Sequence, residues 1–475
     1  MVSFLLSIVA LIIGYFVYGK IVEKAFGADN NIQTPAVRLE DGVDFVPMPE
    51  WKIFLIQFLN IAGLGPIFGA ISGALWGPAA FLWIVFGCIF AGAVHDYFSG
   101  MLSVRHDGAS IPEVVGIYLG GGFKQFMRVF SVILLILVGV VFVKGPASIL
   151  HGLTGLNINL LLYFIFGYYL IATVVPVDKL IGKVYPIFGI CLLIMAAGVA
   201  GAMIIGKAPI PEVTLANMHP KADTNPIYPL LFITIACGAI SGFHATQSPL
   251  MARCITKESQ GRRIFYGSMI AEGIVALIWA AAAMSFFGGI NELGSAMAVE
   301  GHNAAWVVNE VCNTWLGKIG GLLAVLGVVA CPITSGDTAF RSARLTIADS
   351  VGFKQEAIKN RFVISIPLFA IGFILTKVNF GVIWRYFGWS NQTLATIVLW
   401  TTAMYLVHKG KSYWMAAIPA TFMTSVCTTF IANAKIGFKL PMSIALPIGI
   451  VVAILALGLF IVASKKVKVK LEAEA

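Results

Sequence analysis

Between Val2 and Val22 the chain carries a single charged side chain, Lys20, and similar apolar runs recur from Phe126 to Val143 and from Leu440 to Ser464. At about 1.5 Å of rise per helical residue, such runs cross a hydrocarbon layer about 30 Å thick. Inside lipid every backbone N–H and C=O must find a partner within the chain, and a helix supplies one for each. The composition agrees: 59% of the 475 residues are hydrophobic and 11% are charged, against about a quarter charged in ordinary globular domains. The expected fold class is an all-α polytopic membrane protein. No basic segment precedes the first run and no small-residue cleavage site follows it, which reads as a retained span.

Thirteen spans are expected, near residues 2–22, 51–73, 79–104, 124–144, 158–175, 184–206, 228–250, 263–287, 317–346, 360–377, 381–407, 412–433 and 441–464. Lysine and arginine concentrate in cytoplasmic loops, so their placement sets the orientation. With the N-terminus outside, 24 of the 32 basic residues fall on the inner side, Lys179, Lys183 and Lys470 among them. The expectation is N-terminus out, C-terminus in. The net charge of +10 then describes one membrane face and needs no nucleic acid. The lysine-rich end SKKVKVKLEAEA reads as a stop at an anionic inner leaflet.

Two of these spans are interrupted, by IAGLGPIFG (61–69) and CGAISGFHATQSP (237–249). Unwound backbone at membrane depth persists only where it is buried in protein or lines a cavity, and paired breaks in two halves of a chain point to a transporter's binding site. Five spans separate one break from the next and five more reach residue 407. An odd number of spans inverts the second unit, an arrangement that resembles the 5+5 inverted repeat of the leucine-transporter fold. The division is then 1–50 as an extra N-terminal span and cytoplasmic loop, 51–206 and 207–410 as the two repeats, and 411–475 as two extra C-terminal helices with a basic tail. The alternative is two unrelated proline kinks. Around the breaks, Gly63, Gly65, Pro66, Ser241, Gly242 and His244 are candidates for substrate contact, His244 equally open to a packing role. Half-helix N-termini near Gly65 and Gly242 are placed to meet a carboxylate.

A charge at mid-membrane is costly and asks for a reason. Asp96, His244, Glu272 and Asp337 stand out, and the span assignments put the three acids at similar depth toward the inner side. A carboxyl group exposed alternately to the two sides can carry a proton; Thr334, Ser335, Asp337 and Thr338, with carbonyls freed at Gly63–Leu64–Gly65, can equally hold sodium. A structural reading stands beside each. Asp337 and Arg341 have the spacing of a helical ion pair, and Glu272 can bond Ser268. His95 lies about 100° around the helix from Asp96 and reads as a packing residue. Lys144, at the outer end of GVVFVKGPAS, can receive an anion or snorkel to the interface, and Arg385 shares that ambiguity. Asn391, Gln392 and Thr393 can bond substrate or another helix.

Ser110 and Glu113 have capping-box spacing with Pro112 in the first turn, so an interfacial helix is expected there, with His106 and Asp107 as solvated loop residues. Seven cysteines, Cys88, Cys191, Cys237, Cys254, Cys312, Cys331 and Cys427, show no C-x-x-C spacing. That argues against a disulfide framework and against zinc, so no metal or cofactor is expected beyond a coupling cation, proton or sodium.

Taken together, DGVDFVP (41–47), IAGLGPIFGAISGALWGPAAFLW (61–83), AGAVHDYFSGMLSVRHDGASIPEVVG (91–116), SGFHATQSP (241–249), GSMIAEG (267–273), TSGDTAFRSAR (334–344) and FGWSNQTLA (387–395) resemble the carbon-starvation protein A family of bacterial and archaeal membrane transporters. The resemblance implies uptake of peptides or small carboxylates such as pyruvate across the cytoplasmic membrane, driven by a cation gradient. It also implies kinship with the amino acid-polyamine-organocation superfamily. The family pattern falls on Asp96, Lys144, His244, Glu272, Asp337 and the Asn391–Gln392 pair. An enzyme is not expected: no H-E-x-x-H occurs, and HDYF and TSGD only echo the aspartyl intramembrane protease pairs. A channel or a nutrient sensor is the alternative class. The expected partners are a small-molecule substrate and the lipid bilayer; oligomeric state is open.

Overall fold

The computed structural model describes every residue except Val43, Val175, Pro176, Glu356 and Ala475, and only the backbone of residues 177–184 and 470–474. The side chains of Lys179, Lys183 and Lys470 therefore lie outside the described residues. The described residues are helices and connecting turns, with no strand among them. In chain order the principal helices are α1 (Val2–Phe26), the bent pair α2 (Glu50–Ile61) and α3 (Gly65–Trp76), α4 (Ala79–Arg105), α5 (Ile111–Leu119), α6 (Gly121–Thr154), α7 (Ile158–Val174) and α8 (Val177–Ile205). There follow α9 (Ile227–Thr234), α10 (Gly242–Ala252), α11 (Glu258–Phe286), α12 (Ile290–Met297), α13 (Ala304–Val351), α14 (Ile358–Leu375), α15 (Phe380–His408), α16 (Trp414–Asn433) and α17 (Met442–Glu474).

Nine of the described helices are long and apolar enough to cross a membrane, or ten with the bent pair α2–α3 as one span. The remaining three of the thirteen expected spans are helical but of different character. Helix α7 is short, the α9–α10 segment is broken, and α15 carries Arg385 and Ser390 to Thr393 in its first half. Burial separates roles. The most apolar stretches of α4 and α11 are 83% buried, while those of α1, α14 and α17 are 22% buried and face outward. A helix apolar on every side belongs in a core or in lipid; here α4 and α11 form the core and α1, α14 and α17 meet the lipid.

Both interrupted stretches are broken. Helices α2 and α3 meet at 47° across Ala62 to Leu64, and seven residues separate the end of α9 from the start of α10 at Gly242. The breaks pack on each other. A Cβ added to Gly65 would lie 2.3 Å from the Cys237 side chain, and one added to Gly238 would lie 3.8 Å from Pro66 Cα. The segments flanking α2 and α10 are laced as well: Val46 N–H donates to Arg253 O and Met48 N–H to Cys254 O, both at 3.2 Å.

Two helices end elsewhere than the pattern suggests. Helix α6 runs through Pro146 to Thr154, because neighbouring helices cover the turn that proline disrupts; Lys144 therefore lies within the helix and not at its outer end. Helix α13 begins at Ala304 but has a non-helical Gly317 (φ 60°, ψ −149°), so a further helical arm precedes the expected span. Helix α5 has Ser110 at its N-cap position as expected, but no side-chain cap forms. Glu113 turns instead to Arg128 at 2.6 Å and to Lys124, whose combined charge outcompetes a neutral backbone N–H. His106 and Asp107 lie in the turn before α5 as expected, Asp107 exposed and paired with Arg38, and His106 half-buried with its ring 2.9 Å from the Tyr118 hydroxyl. Other ion pairs at this end join Arg262 to Glu23, Arg263 to Glu50 and Arg105 to the buried Glu258.

Candidate substrate and ion site

Three polar clusters surround the breaks. The first spans α4, α10 and α11. His95 Nδ1 and His244 Nδ1 each lie 2.8 Å from Asp96, one on Oδ1 and the other on Oδ2, and His244 Nε2 lies 3.4 Å from Glu272 Oε2. All four side chains are fully buried. Asp96 thus shares its carboxylate between its chain neighbour and the second broken helix. This corrects the reading of His95 as separate from Asp96: Cβ directions 100° apart do not stop a short carboxylate from turning one oxygen sideways. His244 Nε2 and both Glu272 oxygens make no hydrogen bond. Ser268 donates to Ile264 O and not to Glu272.

The second cluster closes the α9–α10 break. Asn391 Oδ1 accepts from Phe243 N–H at 2.6 Å and from Ser241 Oγ at 3.1 Å, which caps the N-terminus of α10. Asn391 Nδ2 lies 3.6 Å from Cys237 Sγ, and Gln392 Nε2 donates to Phe232 O at 3.0 Å, holding α9. Gly242 lets α15 approach, since a Cβ there would sit 2.4 Å from Asn391 O. In this conformation the half-helix N-terminus at Gly242 is occupied by Asn391. Gly63 packs against the Phe142 ring in the same manner. Thr393 bonds its own helix at Trp389 O, Lys144 donates to Val378 O, and Arg385 is exposed.

The third cluster lies between α2, α8 and α13. Asp337 is 3.5 Å from Arg341, and the Tyr185 hydroxyl is 3.4 Å from Asp337 Oδ2 and 3.1 Å from Thr334 O. Ser335 Oγ donates to Leu59 O at 3.1 Å, on the last turn before the first break. Thr334 and Thr338 hydroxyls bond back to Cys331 O and Ser335 O. Among the described residues no hydrogen bond or ion pair joins Asp337 to Asp96 or Glu272, so the three acids divide into two clusters.

Sequence reasoning missed Asn60 and Tyr185. Both side-chain atoms of the Asn60 amide are buried without a hydrogen-bond partner, one residue before α2 ends. A lone asparagine in FLNIAGLGP was the available signal. Tyr185 lies in an apolar run with nothing to mark it.

Two broken helices packed face to face, ringed by buried ionisable groups in an all-helical membrane protein, define a multi-pass membrane transporter. The fold agrees with solved transporters. An Eremococcus coleocola manganese transporter, in complex with an aromatic bis-isothiourea substituted compound, superimposes with a TM-score of 0.52 at 13% identity, covering 91% of this chain and 99% of that one. Mhp1, a nucleobase-cation-symport-1 family transporter in a closed conformation with bromovinylhydantoin bound, also gives 0.52, at 14% identity, covering 88% and 92%. The profile of the family described as carbon starvation protein CstA matches residues 1–145, 143–319 and 311–432, and the chain belongs to that family. A Haemophilus influenzae membrane protein is 46% identical over 60% of this chain and 91% of its own length. The Escherichia coli protein named peptide transporter CstA is 24% identical over 91% of this chain and 81% of its own.

Proposed function

We propose that the chain is a secondary active transporter that takes up peptides or small carboxylates such as pyruvate, coupling entry to a proton or sodium gradient by alternating access. The observation that carries this reading is the contact between the breaks at Gly65 and Cys237, with the unpartnered Asn60 amide beside it. Relatives named as peptide transporters support the substrate class. Residues 51–206 and 207–410 act as the two inverted halves, with the N-terminus outside and the C-terminus in the cytoplasm.

In the closed state Gly63, Gly65, Pro66, Ser241, Gly242, Asn391 and Gln392 contact protein. Separation of the breaks would free backbone N–H groups for a substrate carboxylate. The coupling ion binds at the third cluster. Ser335 and Thr334 hydroxyls and the Leu59 carbonyl are hard oxygen donors suited to sodium, and Asp337 is the acid that a proton would use. Reconstituted protein should show saturable counterflow of labelled dipeptide or labelled pyruvate. Asp337→Asn should keep counterflow and lose gradient-driven accumulation, with sodium-free and proton-clamped arms identifying the ion. Unchanged accumulation would remove Asp337 from coupling, and non-saturating flux without accumulation would make the protein a channel.

A further inference from the structure

His244, Glu272 and Cys237 each offer one ligand atom, and these atoms lie within 4.8 Å of one another, all three residues buried. We propose that these three side chains form a binding site for a divalent transition metal of the zinc class. Two observations carry the proposal independently of the proximity. First, His244 Nε2 and both Glu272 oxygens have no hydrogen-bond partner despite full burial, and buried polar atoms of native proteins almost always have one. Second, the other nitrogen of the same imidazole is fixed: Nδ1 meets Asp96 Oδ2 at 2.8 Å, and Asp96 is held in turn by His95. A carboxylate on the far side of a histidine sets its tautomer, leaves the Nε2 lone pair free, and orients the ring toward a metal. Without a metal, His244 Nε2 and Glu272 Oε2 share only a 3.4 Å ion-pair contact and no hydrogen bond.

The donor set selects the ion. Calcium and magnesium take six or more oxygen ligands, whereas a thiolate, an imidazole and a carboxylate suit zinc with a fourth position left open. Donors around tetrahedral zinc stand roughly 3.4 Å apart. The His244–Glu272 separation of 3.4 Å already meets this. Ser241 Oγ lies 3.5 Å from Cys237 Sγ. Gly65 packs directly on Cys237, so the metal enters only when the breaks part. Once bound it ties the α9–α10 break to α11. The proposal uses the gate of the transporter reading, but metal binding is measured without transport, so either can fail alone.

The test is cobalt titration of the purified, metal-stripped full chain in detergent, followed by zinc competition. The expected result is one equivalent of cobalt with a thiolate-to-cobalt charge-transfer band that zinc abolishes. Cys237→Ser should remove the band while the protein still elutes as a folded species, and Glu272→Gln should weaken zinc binding at least tenfold. Asp96→Asn, which touches no metal, should weaken it by roughly 10- to 100-fold. Absence of the band in the unmodified protein, or its survival in Cys237→Ser, would overturn the proposal, the latter by assigning the metal to another cysteine.

Discussion

Asp337 and Arg341 are both nearly fully buried, 3.5 Å apart, and the guanidinium also donates to Ala172 O at 2.9 Å. Removing one partner of such a pair strands the other charge, at a cost of about 3–5 kcal/mol. Arg341→Ala should therefore lower the thermal midpoint sharply, and Asp337→Asn combined with Arg341→Gln should recover most of the loss. Equal melting of the single and double variants would show that the pair contributes nothing. This ion pair was legible from i, i+4 spacing alone. The association of Asp96 with His244 was not, because the residues lie on different helices and only the folded chain brings them together. The contact between His95 and Asp96 was missed for another reason: helical-wheel angles locate Cβ atoms and ignore how a side chain turns beyond them. Cysteine spacing tests only for ligands adjacent in sequence, whereas the three residues of the proposed metal site, Cys237, His244 and Glu272, meet through a break and a neighbouring helix.

The helices locate the acids through a shared device. A π-helical stretch precedes each one: Trp83–Gly92 before Asp96, Arg262–Tyr266 before Glu272 and Val325–Ala330 before Asp337. Wider turns shift the face presented downstream and often accompany functional sites, so a strict 3.6-residue period misplaces those faces. The breaks themselves were legible from glycine and proline, though their mutual contact was not. Gly242→Ala would drive a methyl into Asn391 O and Ala395 N, both backbone atoms of α15. Overpacking of this kind costs about 1–3 kcal/mol, read as a lower midpoint for that variant. On α5, burial pushes the Glu113 carboxyl up, but its bonds to Lys124 and Arg128 outweigh that and hold it below the usual glutamate value. A depressed carboxylate stabilises fully above its unfolded value and loses that contribution as pH falls through its lower folded value. Amide protection of α5 should therefore decline in acid in the unmodified protein and stay flat in Glu113→Gln. The group is partly exposed, so the difference should stay below about 1 kcal/mol.

Across the whole molecule, membrane class and helix positions were legible because lipid imposes long apolar runs on any chain that crosses it. Less legible were α7, the broken α9–α10 segment and α15, whose shortness or polarity makes sense only inside a bundle. Basic residues and their acidic partners gather at one end, among them Arg105 with the buried Glu258, which also accepts from Asp29 N–H. Glu258→Ala should leave Arg105 without its carboxylate and destabilise the protein by about 3 kcal/mol, visible as earlier unfolding in a thermal-shift assay.

The backbone stitches from Val46 to Arg253 and from Met48 to Cys254 bind the start of one broken helix to the end of the other. A motion that parts the breaks therefore has to hinge at this end, the two tied segments staying together while the half-helices splay farther along.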